Sequence, residues 1–90
     1  MDTDTKKSVV GVVKEAVDKP TKDLYLAAAF DCEGCRFKDI DKTDRSRMIF
    51  YFEGGELADQ VERQWWEGNL VVSATAYAAS LRKLKSAIHN

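Results

Sequence analysis

The stretch Arg47-Met48-Ile49-Phe50-Tyr51-Phe52-Glu53 decides the fold of this 90-residue chain. It is the only run dense in both aromatic and branched residues, which are the types that favour β-strands. A polar turn segment precedes it and the pair Gly54-Gly55 follows it, so residues that break strands mark both of its ends. The run therefore predicts a central strand.

The residues before this stretch supply a partner strand. Residues 36–41 predict that strand, and Lys42-Thr43-Asp44-Arg45 is polar and of the right length to reverse the chain. A symmetric turn would place Phe37 opposite Phe50 and sort the side chains onto two faces. A two-stranded hairpin is marginal alone, so helices must cover its apolar face. The apolar face would carry Cys35, Phe37, Met48, Phe50 and Phe52, and the basic face Arg36, Lys38, Ile40, Arg47, Ile49 and Tyr51.

The composition indicates one small domain without a strong overall charge. Hydrophobic residues make up 44% of the chain, which is enough for a core that folds without metal or disulfide support. The net charge of −1 provides no global field that would draw the protein to nucleic acid or membrane. No apolar run approaches membrane-spanning length, and the N-terminus lacks the hydrophobic segment of a signal peptide. We therefore expect a cytoplasmic protein with no membrane partner and with reduced cysteines.

The first twenty residues allow two interpretations. Residues 1–7 are polar and charged, and we expect them to be a disordered tail. Residues 8–19 place valines and an alanine on a helical stripe that Pro20 ends, which favours a first helix. Val9-Val10-Gly11-Val12-Val13 is also compatible with a strand, because valine is stiff at χ1 and glycine weakens a helix interior. Such a strand could add an edge to the hairpin.

Three further helices are predicted from their end signals. Thr21 is the expected N-cap of a helix that Gly34 ends. This helix is apolar on nearly every side, which predicts that it is the most buried one. Another helix runs from Glu56 to about Glu67, and the last one follows a Ser73 N-cap. The apolar stripes of these last two helices are Leu57, Val61 and Trp65, and Tyr77, Leu81, Leu84 and Ile88.

Together these elements predict a small α+β domain. Its order is helix, helix, strand, strand, helix, helix, with a strand in place of the first helix as the alternative. Three or four helices would pack on one face of an antiparallel hairpin. Residues 8–90 would form this single domain, with residues 8–20 as an extension of a core that spans residues 21–90.

A set of short motifs within this core forms a pattern of its own. The motifs are Thr21-Lys22-Asp23-Leu24-Tyr25-Leu26-Ala27-Ala28, Gly34, Phe37, Ile40, Phe50-Tyr51-Phe52-Glu53, Trp66-Glu67-Gly68 and Tyr77-Ala78-Ala79-Ser80-Leu81-Arg82-Lys83-Leu84-Lys85. The pattern resembles a family of short bacterial and phage proteins that is classed as a domain of unknown function. The resemblance implies a compact domain encoded in bacteria or their phages, and it contains no catalytic signature. It begins near Thr21, so it does not address the role of residues 1–20.

Cys32-Glu33-Gly34-Cys35 is the one motif with the spacing of a metal or redox site. It supplies half of a tetrahedral zinc site, but no second pair follows, and the only histidine, His89, is penultimate. Redox chemistry is disfavoured because Cys32 lies near a helix C-terminus between two acidic residues, which favour the protonated thiol. A glycine that ends a helix between two half-buried cysteines explains the spacing. We predict no metal and no cofactor in one chain, and a zinc site shared by two chains is the alternative.

The basic hairpin face is a candidate nucleic-acid face, formed by Arg36, Lys38, Arg47 and Tyr51. Its cations would follow phosphates, and its tyrosine would stack on a base. Basic residues on an exposed sheet face are also common as solvated protection against edge pairing, and three aspartates nearby reduce the local potential. Weak nucleic-acid binding is therefore the second hypothesis for this chain.

Trp65-Trp66 is a candidate protein contact. Adjacent helical residues point about 100° apart, so Trp65 can join the apolar stripe while Trp66 lies at its border. The favoured interpretation is that both side chains belong to the core, because the domain is short of large side chains. In the functional interpretation, Trp66 and the nearby Leu70 anchor a partner protein or a second copy. An acidic helix over residues 56–67 facing a basic helix over residues 73–89 of another chain would give a dimer a charge-matched rim.

Enzyme chemistry has no support in the sequence. There is no phosphate-binding glycine loop and no serine elbow, and the single histidine lies close to the chain end. We therefore predict a non-catalytic binding or accessory module that acts through an unknown protein partner or through self-association.

Overall fold

A three-stranded antiparallel sheet and three helices make up the computed structural model, which describes residues 18–89. The strands are β1 (Asp18–Thr21), β2 (Phe37–Asp41) and β3 (Ile49–Glu53), and the helices are α1 (Leu24–Cys32), α2 (Glu56–Glu67) and α3 (Ala74–His89). The strand order is β1-β3-β2, so β3 is hydrogen-bonded on both sides. The predicted α+β class and the central position of β3 are confirmed.

The third strand of the sheet lies where the sequence predicted the end of a helix. β1 pairs antiparallel with β3, and Pro20 lies opposite Tyr51. Within residues 18–89, β1 lies at the edge of the sheet. Proline is tolerated at such an edge because its missing N–H removes no hydrogen bond to a second neighbouring strand. The predicted order was therefore wrong at this point, since the described chain begins strand, helix, strand. The expectations for residues 1–17 lie outside the described residues.

The hairpin of β2 and β3 differs from its predicted register and turn. The connection spans residues 42–48 instead of residues 42–45. Phe37 lies opposite Phe52 rather than Phe50, and a β-bulge around Lys38 shifts the pairing so that Ile40 lies opposite Phe50. The bulge therefore turns Ile40 toward the helices together with Phe37. It leaves the opposite face of β2 to Asp39 and Asp41.

The core lies between the helices and one face of the sheet. α1 provides its centre, because the five residues from Leu26 to Phe30 are all buried, as predicted for the most buried helix. The Phe52 ring lies 5.3 Å from Phe30 and 5.4 Å from Phe37, measured between ring centroids. Val61 of α2 and Leu84 of α3 complete this core. We call this side of the sheet the covered face and the other side the open face.

The ends of α1 show one wrong and one correct prediction. Asp23, and not Thr21, is the N-cap, and its Oδ1 accepts hydrogen bonds from the backbone N–H groups of Tyr25 and Leu26 at 2.8 and 3.4 Å. Thr21 supports this cap, since its Oγ1 accepts a hydrogen bond from the Asp23 N–H at 3.1 Å. At the other end Gly34 has a φ of 97°, and the helix ends in a Schellman motif as its glycine indicated.

The bounds of α2 and the N-cap of α3 agree with the sequence. α2 begins at Glu56 and ends before Gly68, whose φ of 77° allows the Asn69 N–H to donate to the Gln64 carbonyl at 2.9 Å. The Ser73 Oγ accepts a hydrogen bond from the Ala76 N–H at 3.2 Å. One member of the predicted stripe departs from it, because Leu57 is 46% exposed. Ala58 takes the buried position on that turn of α2.

Candidate functional site

The end of α2 exposes a large apolar side chain. Trp66 is 69% exposed, whereas its neighbour Trp65 packs against the core. Leu70 also packs partly against the core, and Val71 beside it is 85% exposed. The Schellman turn at Gly68 fixes the helix end that carries the indole. We call Trp66, Leu70 and Val71 the Trp66 surface.

The acidic side of α2 is partly engaged within the chain. Lys19 of β1 lies opposite Phe52 and therefore points to the covered face, where its Nζ lies 2.8 Å from Asp59 Oδ1 and 2.7 Å from Glu62 Oε1. Burial alone would lower the pKa of Lys19, but the hydrogen bonds and charges of the two carboxylates together raise it above its ordinary value. These ion pairs have no local signal in the sequence, because their partners lie forty residues apart or more.

A second ion-paired cluster joins α1 to α3. Ser80 Oγ donates to Asp31 Oδ2 at 2.7 Å, and Lys83 Nζ lies 2.7 Å from Asp31 Oδ1. The Asp31 side chain is 13% exposed and Ser80 is buried, so this cluster lies within the helix interface. These groups satisfy one another and fasten the helices together. The cluster was missed from the sequence, although an aspartate at the end of an apolar helix is the kind of residue that needs a partner.

The four residues of the predicted nucleic-acid face lie in different settings. Lys38 is at the bulge, and its Nζ lies 2.7 Å from Asp18 Oδ1. Arg36 precedes β2. Tyr51 lies on the open face between Pro20 and Asp39, its partners in the neighbouring strands. Arg47 lies in the connection between β2 and β3. Nucleic-acid binding by these four residues stays a prediction.

Arg47 instead lines a groove at the end of the sheet where β3 begins. The groove has a volume of about 430 Å³ and is built from the start of α1, the connection before β3 and the end of α3. We call it the basic groove. Its lining residues are Lys22, Leu24, Arg45, Ser46, Arg47, Met48, Phe50 and Ile88.

The charges of the basic groove are of one sign. Its three cations, Lys22, Arg45 and Arg47, are exposed, and none of its lining residues is acidic. Within residues 18–89, none of these three cations forms an ion pair. The groove was not found from the sequence because its walls come from three distant segments.

A hydrogen-bonded turn holds the two arginines of the groove. The Asp44 carboxylate accepts from Ser46 Oγ at 2.7 Å and from the Ser46 N–H at 3.0 Å, and the Arg47 N–H donates to the Asp44 carbonyl at 2.9 Å. The hydrogen bonds from Ser46 lower the pKa of Asp44, and the nearby charge of Lys22 adds to this effect. The turn is therefore fixed by its own side chains before anything binds.

A smaller groove lies next to it on the open face. Its volume is about 320 Å³, and Lys22 borders both grooves. Its other lining residues are Pro20, Thr21, Ile49 and Tyr51. Two of the four residues predicted to bind nucleic acid, Arg47 and Tyr51, thus line adjoining but separate depressions.

The two cysteines lie at the C-terminal end of α1 and are free thiols. Cys35 is buried and Cys32 is half-buried. Burial raises the pKa of both thiols, and the charges of Glu33 and Asp31 raise it further. This electrostatic setting agrees with the predicted preference for the protonated form. In residues 18–89, no three His, Cys, Asp or Glu side chains form a group that could hold a metal ion. A zinc site between two chains stays a prediction.

Comparison with known proteins adds no relative of this chain. No family model, curated protein or solved structure matches it. The resemblance to short bacterial and phage proteins therefore stays a prediction. Among the helices formed by residues 18–89, none is long and apolar enough to cross a membrane.

Proposed function

We propose that this chain is a non-catalytic binding module that contacts another protein through the Trp66 surface. One observation carries the proposal: the indole of Trp66 is 69% exposed on a helix end whose geometry is fixed. Tryptophan is enriched among the few residues that supply most of the free energy of protein interfaces. It offers a large apolar area and loses little conformational entropy when it is buried.

The different positions of the two tryptophans support this proposal. Trp65 is the tryptophan of α2 that packs against the core, whereas Trp66 is exposed. Trp66 is therefore available to a partner. Val71, which follows the helix end, is a second exposed apolar side chain, and Glu67 lies between them in the chain as an exposed polar residue. An apolar centre with polar neighbours is the usual arrangement of a protein interface.

The partner is a second protein or a second copy of the chain. The charge-matched rim predicted for a dimer has fewer free charges than the sequence indicated, because Asp59 and Glu62 are paired with Lys19 and Lys83 is paired with Asp31. We therefore place the binding free energy in the apolar contact of Trp66 rather than in opposed helices of opposite charge.

A Trp66→Ser variant tests this proposal, with Leu57→Ser as the matched control. Leu57 is also an exposed apolar residue of α2 but lies at the other end of the helix. We expect Trp66→Ser to abolish the concentration-dependent increase in sedimentation coefficient if the partner is a second copy. If it is another protein, we expect the loss of the bound species in co-purification from the native host. Leu57→Ser should preserve both. An identical sedimentation profile and identical co-purified species for Trp66→Ser and the unaltered chain would contradict the proposal.

The nucleic-acid prediction is tested separately. An amide NMR titration with short DNA and RNA at about 50 mM and about 200 mM salt should show shifts that collapse at the higher salt if phosphates are bound. Shifts at Arg36 and Lys38 would support the predicted face, and silent signals at all four residues would reject it.

A further inference from the structure

We infer that the basic groove is a second docking site and that it takes an acidic peptide segment carrying a large apolar side chain. This inference goes beyond the proposed function, because no residue of α2 or of the Trp66 surface lines the groove. It assigns the chain two contact surfaces of different chemistry.

The rim of the groove determines the charge of its ligand. Lys22, Arg45 and Arg47 come from two separate segments and converge on one depression without an acidic residue in its lining. Elsewhere in the described chain, Lys19, Lys38 and Lys83 each have a carboxylate within hydrogen-bonding distance, whereas Arg36, Arg63, Arg82 and Lys85 form no ion pair, so it is the convergence on one groove that distinguishes its three cations. The three groove cations lack such a partner within residues 18–89, so carboxylates from another molecule would complete their interactions.

The floor of the groove determines the rest of the ligand. Leu24, Met48 and Ile88 are half-buried aliphatic or thioether side chains, and Phe50 below them is 2% exposed. A floor of this kind favours an apolar side chain that is inserted between the cations, and methionine adapts readily to different shapes. The volume of about 430 Å³ is sufficient for one large side chain and the backbone that carries it.

The same floor favours a peptide over a nucleic acid. Single-stranded nucleic acids bind by stacking bases on aromatic side chains as well as by phosphate contacts. Phe50 is the only aromatic residue in the lining, and its burial leaves no ring face for a base. Tyr51 points to the open face of the sheet, on the side opposite to Phe50. A carboxylate-rich peptide needs the cations and the aliphatic floor, and both are present.

A labelled synthetic peptide of glutamates around a central leucine tests this site in the full-length chain. Two control peptides replace the leucine with serine, or the glutamates with glutamines. We expect the first peptide to shift the amide NMR signals of residues 45–48 and to bind more weakly at higher salt. Both control peptides should bind at least about tenfold more weakly, because each lacks one half of the recognition.

Protein variants locate the site. The double variant Arg45→Glu with Arg47→Glu should weaken peptide binding by about tenfold or more, and Lys22→Glu should weaken it in the same direction. The matched control is Arg36→Glu with Arg63→Glu, which changes the same net charge at exposed arginines outside the groove. That control and Trp66→Ser should retain the affinity within about twofold, since general charge effects are screened by salt. If Trp66→Ser loses the partner of the Trp66 surface but still binds the peptide, the two surfaces bind independently.

Four results would overturn the inference. The first is the absence of shifts at residues 45–48. The second is equal binding of the serine control peptide, which would mean that the groove attracts only the negative charge of the peptide. Tighter binding of an oligonucleotide of equal charge at the same residues would assign the groove to nucleic acid. Self-association that the Arg45→Glu and Arg47→Glu changes abolish would assign it to a second copy. The melting temperature of each variant shows whether it is folded, and Lys22→Glu provides an independent test if the arginine variant is not.

Discussion

Two sets of cations on this protein have opposite surroundings. Lys19, Lys38 and Lys83 each join two elements of the fold through a carboxylate. Lys22, Arg45 and Arg47 converge on one groove, and within residues 18–89 they have no ion-pair partner. The same contrast separates Trp65, which packs on the core, from Trp66, which is exposed. The paired lysines and Trp65 are therefore satisfied within the fold, whereas the basic groove and the Trp66 surface retain capacity for contacts with other molecules.

The largest expected effect lies on the covered face. Phe52→Ala should lower the free energy of unfolding by about 3–5 kcal/mol, because it leaves a cavity among the rings of Phe30 and Phe37. Tyr51→Ala, one position earlier in β3, is the matched control on the open face and should lower it far less. Urea denaturation monitored by circular dichroism measures both variants. Equal losses would contradict the assignment of the two faces.

A smaller effect is expected at the interface of α1 and α3. Asp31→Ala leaves the buried Ser80 hydroxyl without its acceptor and should lower the free energy of unfolding by about 1–3 kcal/mol. Lys38→Met removes a more exposed ion pair with Asp18 and should change stability by about 1 kcal/mol at most. Chemical denaturation of the two variants compares these contributions. The order would be reversed if Asp31 served mainly as a solvated surface charge.

The ion pairs of Lys19 should contribute about 1 kcal/mol or less, because Asp59 is well exposed. The pKa of Lys19 is raised in the folded chain, so this contribution is fully present below its ordinary value of 10.5 and is lost as the pH rises through the folded value. The stability difference between the unaltered chain and Lys19→Met should therefore be constant from about pH 7 to 9 and shrink above 10.5. If this stability difference stayed constant up to the highest pH that permits folding, the ion pairs of Lys19 would not contribute to stability.

The elements of the fold that could be predicted from the sequence have local signals. Gly34, Gly68 and Ser73 lie at helix ends, where their backbone freedom or side-chain oxygen acts on adjacent residues. β3 has aromatic and branched residues in sequence and turn residues on both sides. These features lie within a few residues of one another, so they can be recognised in the sequence before the packing of the rest of the chain is known.

The bulge and the first strand could not be predicted in the same way. Asp18-Lys19-Pro20-Thr21 contains no alternating apolar residues, and its position on the sheet depends on pairing with β3 and on carboxylates of α2. The bulge did have a signal, because the apolar residues Phe37 and Ile40 are three positions apart. An alternating strand would place them on opposite faces, so burying both requires one extra residue between them.

The candidate sites differ in the same way, because one lies on a single helix and the other is assembled from distant segments. The angle between Trp65 and Trp66 on one helix placed Trp66 at the border of the apolar stripe. Its exposure contradicts the interpretation that both tryptophans belong to the core. The basic groove requires residues from the start of α1, the connection before β3 and the end of α3, which only the folded chain brings together. The grouping of Arg47 with Tyr51 assumed that β3 begins at Arg47. β3 begins at Ile49, so Arg47 lies in the connection, and the bulge at Lys38 interrupts the expected face on β2.

The smallest expected effect is a test of the two exposed surfaces. Trp66→Ser, and Arg45→Glu together with Arg47→Glu, should each change the free energy of unfolding by about 0.5 kcal/mol or less, because none of these side chains is buried. Thermal and urea denaturation measure these variants in parallel with Phe52→Ala. A loss for Trp66→Ser as large as that for Asp31→Ala would mean that the indole supports the core, and the Trp66 surface would then not be free for a partner. Unchanged stability combined with lost binding would instead show that these side chains act on other molecules and not on the fold.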